Sequence, residues 1–454
     1  MSAGIKDWVK EEFETLDFNS KRLERRFKMA MSDLSEEPDK SIWLASGSRA
    51  NAKAVYRMIA NEKCDKESIL KSHRDATGKK NKESILLAIQ DTMSVNYSNH
   101  NKTEGLGYNC EKSLGVNCHN CILITPIGVP VGILSQTLTT RAEVKTELTQ
   151  NKKQTRRIEE KESNRWLETM RTASLNAPEH VKLIHIADRE GDIYELFALA
   201  NRTGESFVIR AAHNRNTTDN EKIKETLNGT EAAEKIEVTI PANHSEKKKE
   251  REAILSIRYK NIEINKPKIR RKEKDLETTL TLNLISVKED EPPIGDEAIE
   301  WTLLTNIDIS TIEDAKLVIN YYKQRWKIER FHYVLKSGCE IEKIQQRRIE
   351  GIELILLMYS IIAIRIMQLM YTSRTAPETP CELIFDEEEW KTLYRASNQT
   401  RQAPDKPYPI SDAVRYVAKL GGFKGAKSDG EPGLKVIWIG LNKLFTLCAY
   451  REFI

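Results

Sequence analysis

Seven cysteines in 454 residues are few, odd in number and widely scattered, which excludes a disulfide framework and fits a reducing compartment. Cys110, Cys118, His119 and Cys121 contain a single C-x-x-C with no second pair at finger spacing, since the next cysteine is Cys339. Cys118 and Cys121 lie in VNCHNCILIT, which reads as a strand, so strand cysteines are expected there rather than a zinc site. Long charge-free apolar runs are also missing. The best membrane candidate, Ile352 to Met370, is interrupted by Glu353 and Arg365, and its periodicity suits a buried helix. The first residues, MSAGIKDWVKEEFETL, have no apolar segment of the kind a secretory signal needs. No internal repeat is visible. The expectation is a cytoplasmic protein without a membrane partner.

What is present describes a soluble globular chain: 39% hydrophobic and 31% charged residues, long enough for two to four domains. Net charge is small, 72 − 68 = +4, but unevenly placed. Lys21 to Lys28 holds five basic residues against one acidic, and Lys247 to Lys274 holds twelve against four. Such blocks suit a polyanion partner, although solvated lysine-rich hairpins have the same composition. Residues 1–70 read as a small helical domain. Ser20 caps a helix SKRLERRFKMAMSDL whose Leu23, Phe27 and Ala30 or Met31 form an apolar stripe, with Arg22, Arg25 and Arg26 mostly outside it. A second helix from Ser48 turns Val55, Met58 and Ile59 inward and leaves Lys53, Tyr56 and Arg57 for a groove. The pair is compatible with DNA docking, and also with an ordinary capping subdomain.

Three acids stand out in the middle of the chain. Asp91 follows the apolar run SILLAIQ, which reads as a buried strand; buried alone, such a carboxylate would destabilise by several kcal/mol, so it must be paired, at a sheet edge or metal-bound. A helix is expected over Arg156 to Leu175, then a strand VKLIHIAD that ends in Asp188, a common position for catalytic or metal-binding groups in α/β folds. Glu190 and Asp192 follow, but acids at a helix start are expected for capping alone. Strand ESFVIRAAHN carries Arg210, and a β-rich insert covers about 222–300. A helix capped by Ser310 or Thr311 then leads into YYKQRWKIERFHYVLK. There Tyr322, Arg325, Glu329 and Lys336 stand at i, i+3, i+7 and i+14, within a stripe about 60° wide on one helical face. That set could ligate a cation and donate to phosphate oxygens, or be a solvated charged face. Helix 350–371 is apolar almost all round, and a helical segment runs from about 381 to 454.

A strand acid, a second strand acid and a helix acid suit an RNase H-like nucleotidyl-transfer core holding two Mg²⁺, with Mn²⁺ able to substitute, since all three ligands are hard oxygens. The fold class expected is α/β: an RNase H-like catalytic domain over 71–372 with its β-rich insertion, an N-terminal helical domain over 1–70 and a C-terminal helical domain over 373–454.

The chain resembles the DDE-type cut-and-paste insertion-sequence transposases that carry the Tyr-Arg-Glu-Lys signature. The resemblance rests on QDTMSVNY around Asp91, GILSQT at 132–137, IEEKESNRW at 158–166, ADREGDIYE at 187–195, the signature at 322, 325, 329 and 336, and AKLGGF at 418–423. It implies Asp91, Asp188 and Glu329 as catalytic metal ligands, and Tyr322, Arg325 and Lys336 as contacts to the DNA backbone. Trp301, 21 residues before Tyr322, matches the tryptophan that stacks in place of a flipped base during hairpin formation, and Arg210 matches a strand arginine. It further implies inverted-repeat end binding by the N-terminal domain, target DNA as a second substrate, a homodimeric synaptic complex joined through C-terminal helices, and a nucleoid-associated location in a bacterial cytoplasm. The implied chemistry is nicking, hairpin formation, hairpin opening and strand transfer. Where the family carries a basic residue one turn after the glutamate, this chain has Tyr333. The alternative is a catalytically silent end-binding regulator, against which the intact triad argues; a structure-selective nuclease would have no use for Trp301 or the N-terminal helices.

Overall fold

The computed structural model describes residues 5–100, 102–141, 156–240, 250–271, 273–295, 298–426 and 430–450. Part of the basic block from Lys247 to Lys274 lies outside them. The chain opens with helices α1 (Asp7–Glu12), α2 (Lys21–Glu36), α3 (Ile42–Ala45), α4 (Arg49–Ile59) and α5 (Lys66–Lys80). The side chains of Ser20 and Ser48 accept hydrogen bonds from the amides of Leu23 and Asn51, as the capping pattern requires. Phe27, Ala30, Met31 and Leu34 of α2 are buried, as are Val55, Met58 and Ile59 of α4, and the two helices pack together. Arg22, Arg25, Lys53 and Arg57 are left exposed, while Arg26 and Tyr56 are half-buried.

A ten-stranded sheet follows. Its strands are β1 (Ile85–Asn96), β2 (Gly107–Tyr108), β3 (Leu114–Ile124), β4 (Pro130–Thr139), β5 (Lys182–Ala187), β6 (Ser206–Arg210), β7 (Glu234–Ile240), β8 (Arg251–Asn265), β9 (Thr279–Glu289) and β10 (Glu300–Thr305). β4, β3 and β1 form an antiparallel meander; β5 joins β1 and β6 joins β5 in parallel. The parallel steps need crossovers, supplied by α6 (Asn164–Asn176) and α7 (Tyr194–Thr203). This order, β4-β3-β1-β5-β6, is the RNase H-like core. The helix expected from Arg156 starts instead at Asn164, after a 3-10 turn at Ile158–Glu160. Glu162 is drawn away to Arg141 in a two-bond fork, 2.6 Å on each arm, and that pairing competes with helix formation.

The β-rich insert does not form a separate body. After α8 (Ile223–Asn228) the chain runs out to β7 and returns strand by strand, each antiparallel to the last, until β10 pairs with β6. Cys118 and Cys121 lie buried in β3, as expected of strand cysteines, and Cys110 is exposed ahead of it.

The helices after the sheet are α9 (Ile312–Lys323), α10 (Trp326–Tyr333), α11 (Ile349–Thr375), α12 (Glu387–Asn398), α13 (Ile410–Leu420) and α14 (Leu434–Tyr450). Thr311 and Asp314 close a reciprocal capping box at the start of α9. α11 is long and apolar enough to cross a membrane, but 83% of its most apolar window is buried, and it packs against β4 and α13. A Cβ on Gly421 of the AKLGGF motif would strike the Val436 carbonyl, so glycine lets the end of α13 approach α14. One apolar core runs from Val9 of α1 through the sheet to Leu444 of α14; a second, around Trp166, Phe197 and Phe207, fills the face under α6 and α7.

Candidate active site

Strand register brings the first two acids together. The β1/β5 ladder ends where Ile89 pairs with Ile186, and two residues further along each strand stand Asp91 and Asp188. Beyond the ladder β5 stops, and Asp188 caps the turn that follows by accepting from the Glu190 amide at 2.8 Å. Asp91 stays on β1, opposite Asn120 of β3, and accepts from the Thr92 amide at 2.7 Å. Glu329 is on α10, which packs against β1. Asp91 feels both of the other carboxylates. Burial, the nearby Asp188 carboxylate and then Glu329 push the Asp91 carboxyl up to about 7, against the opposing pull of the Thr92 amide and Arg325.

Around the acids sits a compact group of donors. Arg325 Nη2 donates to Glu329 Oε1 at 2.6 Å. Tyr322 is buried against both Arg325 and Arg210; burial raises the phenol, and the two guanidinium charges only partly oppose that. Burial lowers Arg210, which also donates to the Glu300 carbonyl at 2.9 Å. That carbonyl precedes Trp301, whose indole meets the Tyr322 ring edge-on, with centroids 5.3 Å apart. The structure therefore gathers Asp91, Asp188, Glu329, Arg325, Tyr322, Arg210 and Trp301 in one cleft. Lys336 is set apart, with its Nζ 3.9 Å from Glu342. Arg22, Arg25, Arg26, Lys53, Tyr56 and Arg57 belong to the N-terminal helices and not to this cleft.

One expectation needs correcting. The stretch from Tyr321 to Lys336 is not a single straight α-helix. α9 ends at Lys323, α10 begins at Trp326, and Val334 to Gly338 form a π-turn that contains Lys336. A constant 100° per residue therefore fails, and the four signature side chains do not share one straight stripe.

The donor chemistry suits a hard divalent cation: Asp91, Asp188 and Glu329 offer only carboxylate oxygens, and Asp91 is buried within electrostatic reach of the other two. No three or more His, Cys, Asp or Glu side chains close into a ready ligand cluster among the described residues. Glu329 is paired instead with Arg325.

Residues 5–64 match the family model for transposase DNA-binding, residues 160–365 the transposase DDE domain, and residues 361–451 the transposase Tn5 dimerisation domain. The chain belongs to the DDE transposases of the Tn5 type. A cryo-EM structure of a piggyBac transposase synaptic complex with hairpin DNA is similar over 97% of this chain and 72% of that one, at 10% identity and a TM-score of 0.37. The transposase has DNA and a second copy of itself as partners, and domains of its DDE family generally use divalent metal ions. The DDE match takes in Asp188 and Glu329 and starts after Asp91.

Sequence reasoning missed what Asp192 does. Its buried carboxylate accepts from the amides of Ala212 and His213 and pairs with Arg215 at 2.5 Å, tying the turn after β5 to the segment beyond β6. Only the proximity of two acids to a strand end hinted at it, and a helix start explains such acids equally well. The Arg325 to Glu329 pair was visible as an i,i+4 spacing, but the two residues were assigned to different ligands.

Proposed function

We propose that this transposase binds the inverted-repeat ends of a mobile element and cuts and joins them by two-metal phosphoryl transfer, in the order nick, hairpin, hairpin opening and strand transfer. The observation that carries the reading is the register that sets Asp91 level with Asp188, with Glu329 close enough to help raise Asp91. Asp91, Asp188 and Glu329 would hold Mg²⁺, with Mn²⁺ as a substitute. When bound, such ions activate the attacking oxygen and neutralise charge that develops on the phosphate.

The chain's own residues would do the rest. Arg325, a planar fork on the cleft wall, suits bidentate contact with a backbone phosphate, and Tyr322 adds a donor beside it. Lys336, further along the helical path, would serve a neighbouring phosphate as a point charge. Arg210 holds the Trp301 segment through the Glu300 carbonyl, and Trp301 offers an indole face to an unstacked base. The exposed cations of α2 and α4 would grip the repeat, and the helices after α11 would bring two chains together around paired ends. On this reading residues 1–70, 71–372 and 373–454 divide end binding, chemistry and dimerisation.

Incubation of the purified protein with its own terminal repeats and Mg²⁺ tests the proposal. Cleavage is expected, with Asp188→Ala lowering it by about 10³-fold while end binding in a gel shift persists. Undiminished cleavage by Asp188→Ala would remove that acid from the site.

A further inference from the structure

The motif IEEKESNRW has no role in the reading above, yet it places Arg165 at a junction. β1 and β5 stop pairing at Ile89 and Ile186, so the segments that carry Asp91 and Asp188 leave the ladder just where the two carboxylates must be held in fixed relation. Arg165, at the start of α6, reaches both. Its Nε donates to Thr92 Oγ1 at 2.9 Å and its Nη2 to Glu190 Oε2 at 2.6 Å, while Nη1 donates to the Glu162 carbonyl at 3.0 Å. Thr92 follows Asp91 and donates its amide to it; the Glu190 amide donates to Asp188. One guanidinium thus grips the residue beside Asp91 and the residue two beyond Asp188.

The grip is braced from behind. Thr92 Oγ1, accepting from Arg165, is free to donate to His119 Nδ1 at 2.8 Å. His119 is buried, and burial together with the Arg165 charge holds it well below its usual value, so it is neutral. A neutral ring that accepts at Nδ1 carries its proton on Nε2, which faces Gln90 Oε1 at 3.4 Å. The Gln90 amide in turn reaches His185 Nδ1 at 3.3 Å. The donors all point one way, from Arg165 across β1 and β3 to His185 of β5. The Arg165 side chain is only 15% exposed, so it is poorly placed to bind DNA itself.

We infer that Arg165 is a positioning residue that sets the separation of Asp91 and Asp188, with Thr92 and Glu190 as its two handles. The inference rests on the proposed role of those acids as metal ligands. Outer groups that fix metal ligands alter metal affinity by about 10- to 100-fold when removed. Arg165→Lys cannot make two parallel bonds in fixed geometry, so it should not restore the wild-type site.

The test is Mn²⁺ binding by the DNA-free protein, followed by isothermal titration and by the spin signal of the free ion, beside gel-shift binding of end DNA. Arg165→Ala should weaken Mn²⁺ binding by about 10-fold or more with end binding unchanged, and half-maximal cleavage should need more metal. Wild-type Mn²⁺ affinity in Arg165→Ala, while Asp188→Ala has lost it, overturns the inference and leaves the triad intact. Wild-type affinity in Asp188→Ala overturns the triad, and the inference falls with it. Should Arg165→Ala fail to fold, Thr92→Val decides: it keeps the side-chain shape and removes one handle, so a several-fold loss of Mn²⁺ affinity supports the inference and an unchanged affinity overturns it.

Discussion

The cleft and the N-terminal helices use charge in opposite ways. In the cleft the charged groups are held against fixed neighbours: Arg325 is paired with Glu329, Asp91 is buried beside Asp188 and Arg325, and Arg210 donates to the Glu300 carbonyl next to Tyr322. On α2 and α4, Arg22, Arg25, Lys53 and Arg57 are exposed, and none makes a hydrogen bond or ion pair within the described residues. Interlocked charges are arranged before any ligand arrives, which is what chemistry needs, because reorganisation during reaction raises the barrier. Free charges on flexible stems suit attraction to a polyanion, which tolerates imprecise geometry and responds to salt.

This contrast gives graded expectations. The largest effect should come from Arg325→Ala, which removes a phosphate donor and leaves Glu329 unpaired: cleavage at saturating DNA should fall by about 10²-fold, and Arg325→Lys should recover little of it. A smaller change measured by single-turnover cleavage would mean the cleft charges are less interdependent than their contacts indicate. Next is Trp301→Ala. Base stacking contributes about 1–3 kcal/mol, so hairpin yield should drop by about 10-fold with first-strand nicking unchanged on a denaturing gel. Equal hairpin yield would take Trp301 out of the reaction.

On the other side of the comparison, the double substitution Arg22→Ala with Arg25→Ala should weaken end binding several-fold. It should also flatten the plot of log affinity against log salt by about two units, with cleavage at saturating DNA preserved. A loss of cleavage that saturation does not cure would show that these cations act beyond binding. The smallest effect concerns how the N-terminal helices are anchored. Glu12 of α1 accepts from His73 Nδ1 of α5 at 2.5 Å. Burial raises this carboxyl, but His73 and then Lys80 outweigh it and hold it down at about 2. A depressed carboxyl adds stability that is present above its unfolded value, 4.5, and is lost as pH falls through about 2. Between pH 5 and pH 2 the wild-type Tm should therefore fall further than that of Glu12→Gln, by a few degrees in calorimetry. Parallel curves would show that the pair adds nothing to the anchor.

Much of the fold was legible because its signals are local. An apolar run meeting Asp91, a strand ending in Asp188 and serine caps at Ser20 and Ser48 are each written within a few residues. The break between Lys323 and Trp326 was not, because YYKQRWKIERF carries no Pro or Gly to mark it. The fork of Arg165 joins segments more than 20 residues apart in sequence, and side-chain contacts of that kind leave no periodicity to read. The pairing of β10 with β6 is hidden for the same reason: the insert reads as strands and turns, and nothing in its pattern says which neighbour the last strand will choose.

That pairing governs how the protein can change length. β10 follows the insert in sequence and lies between it and β6 in space, while β7 lies at the sheet's outer margin. Trimming or lengthening can therefore proceed from the margin inward, starting at β7, and leave Trp301 where it is. A one-residue insertion within β10 would turn Trp301 to the opposite face of the sheet and move its indole away from Tyr322. Divergence among such chains should thus accumulate in outer strands of variable length, around an inner strand that keeps its count.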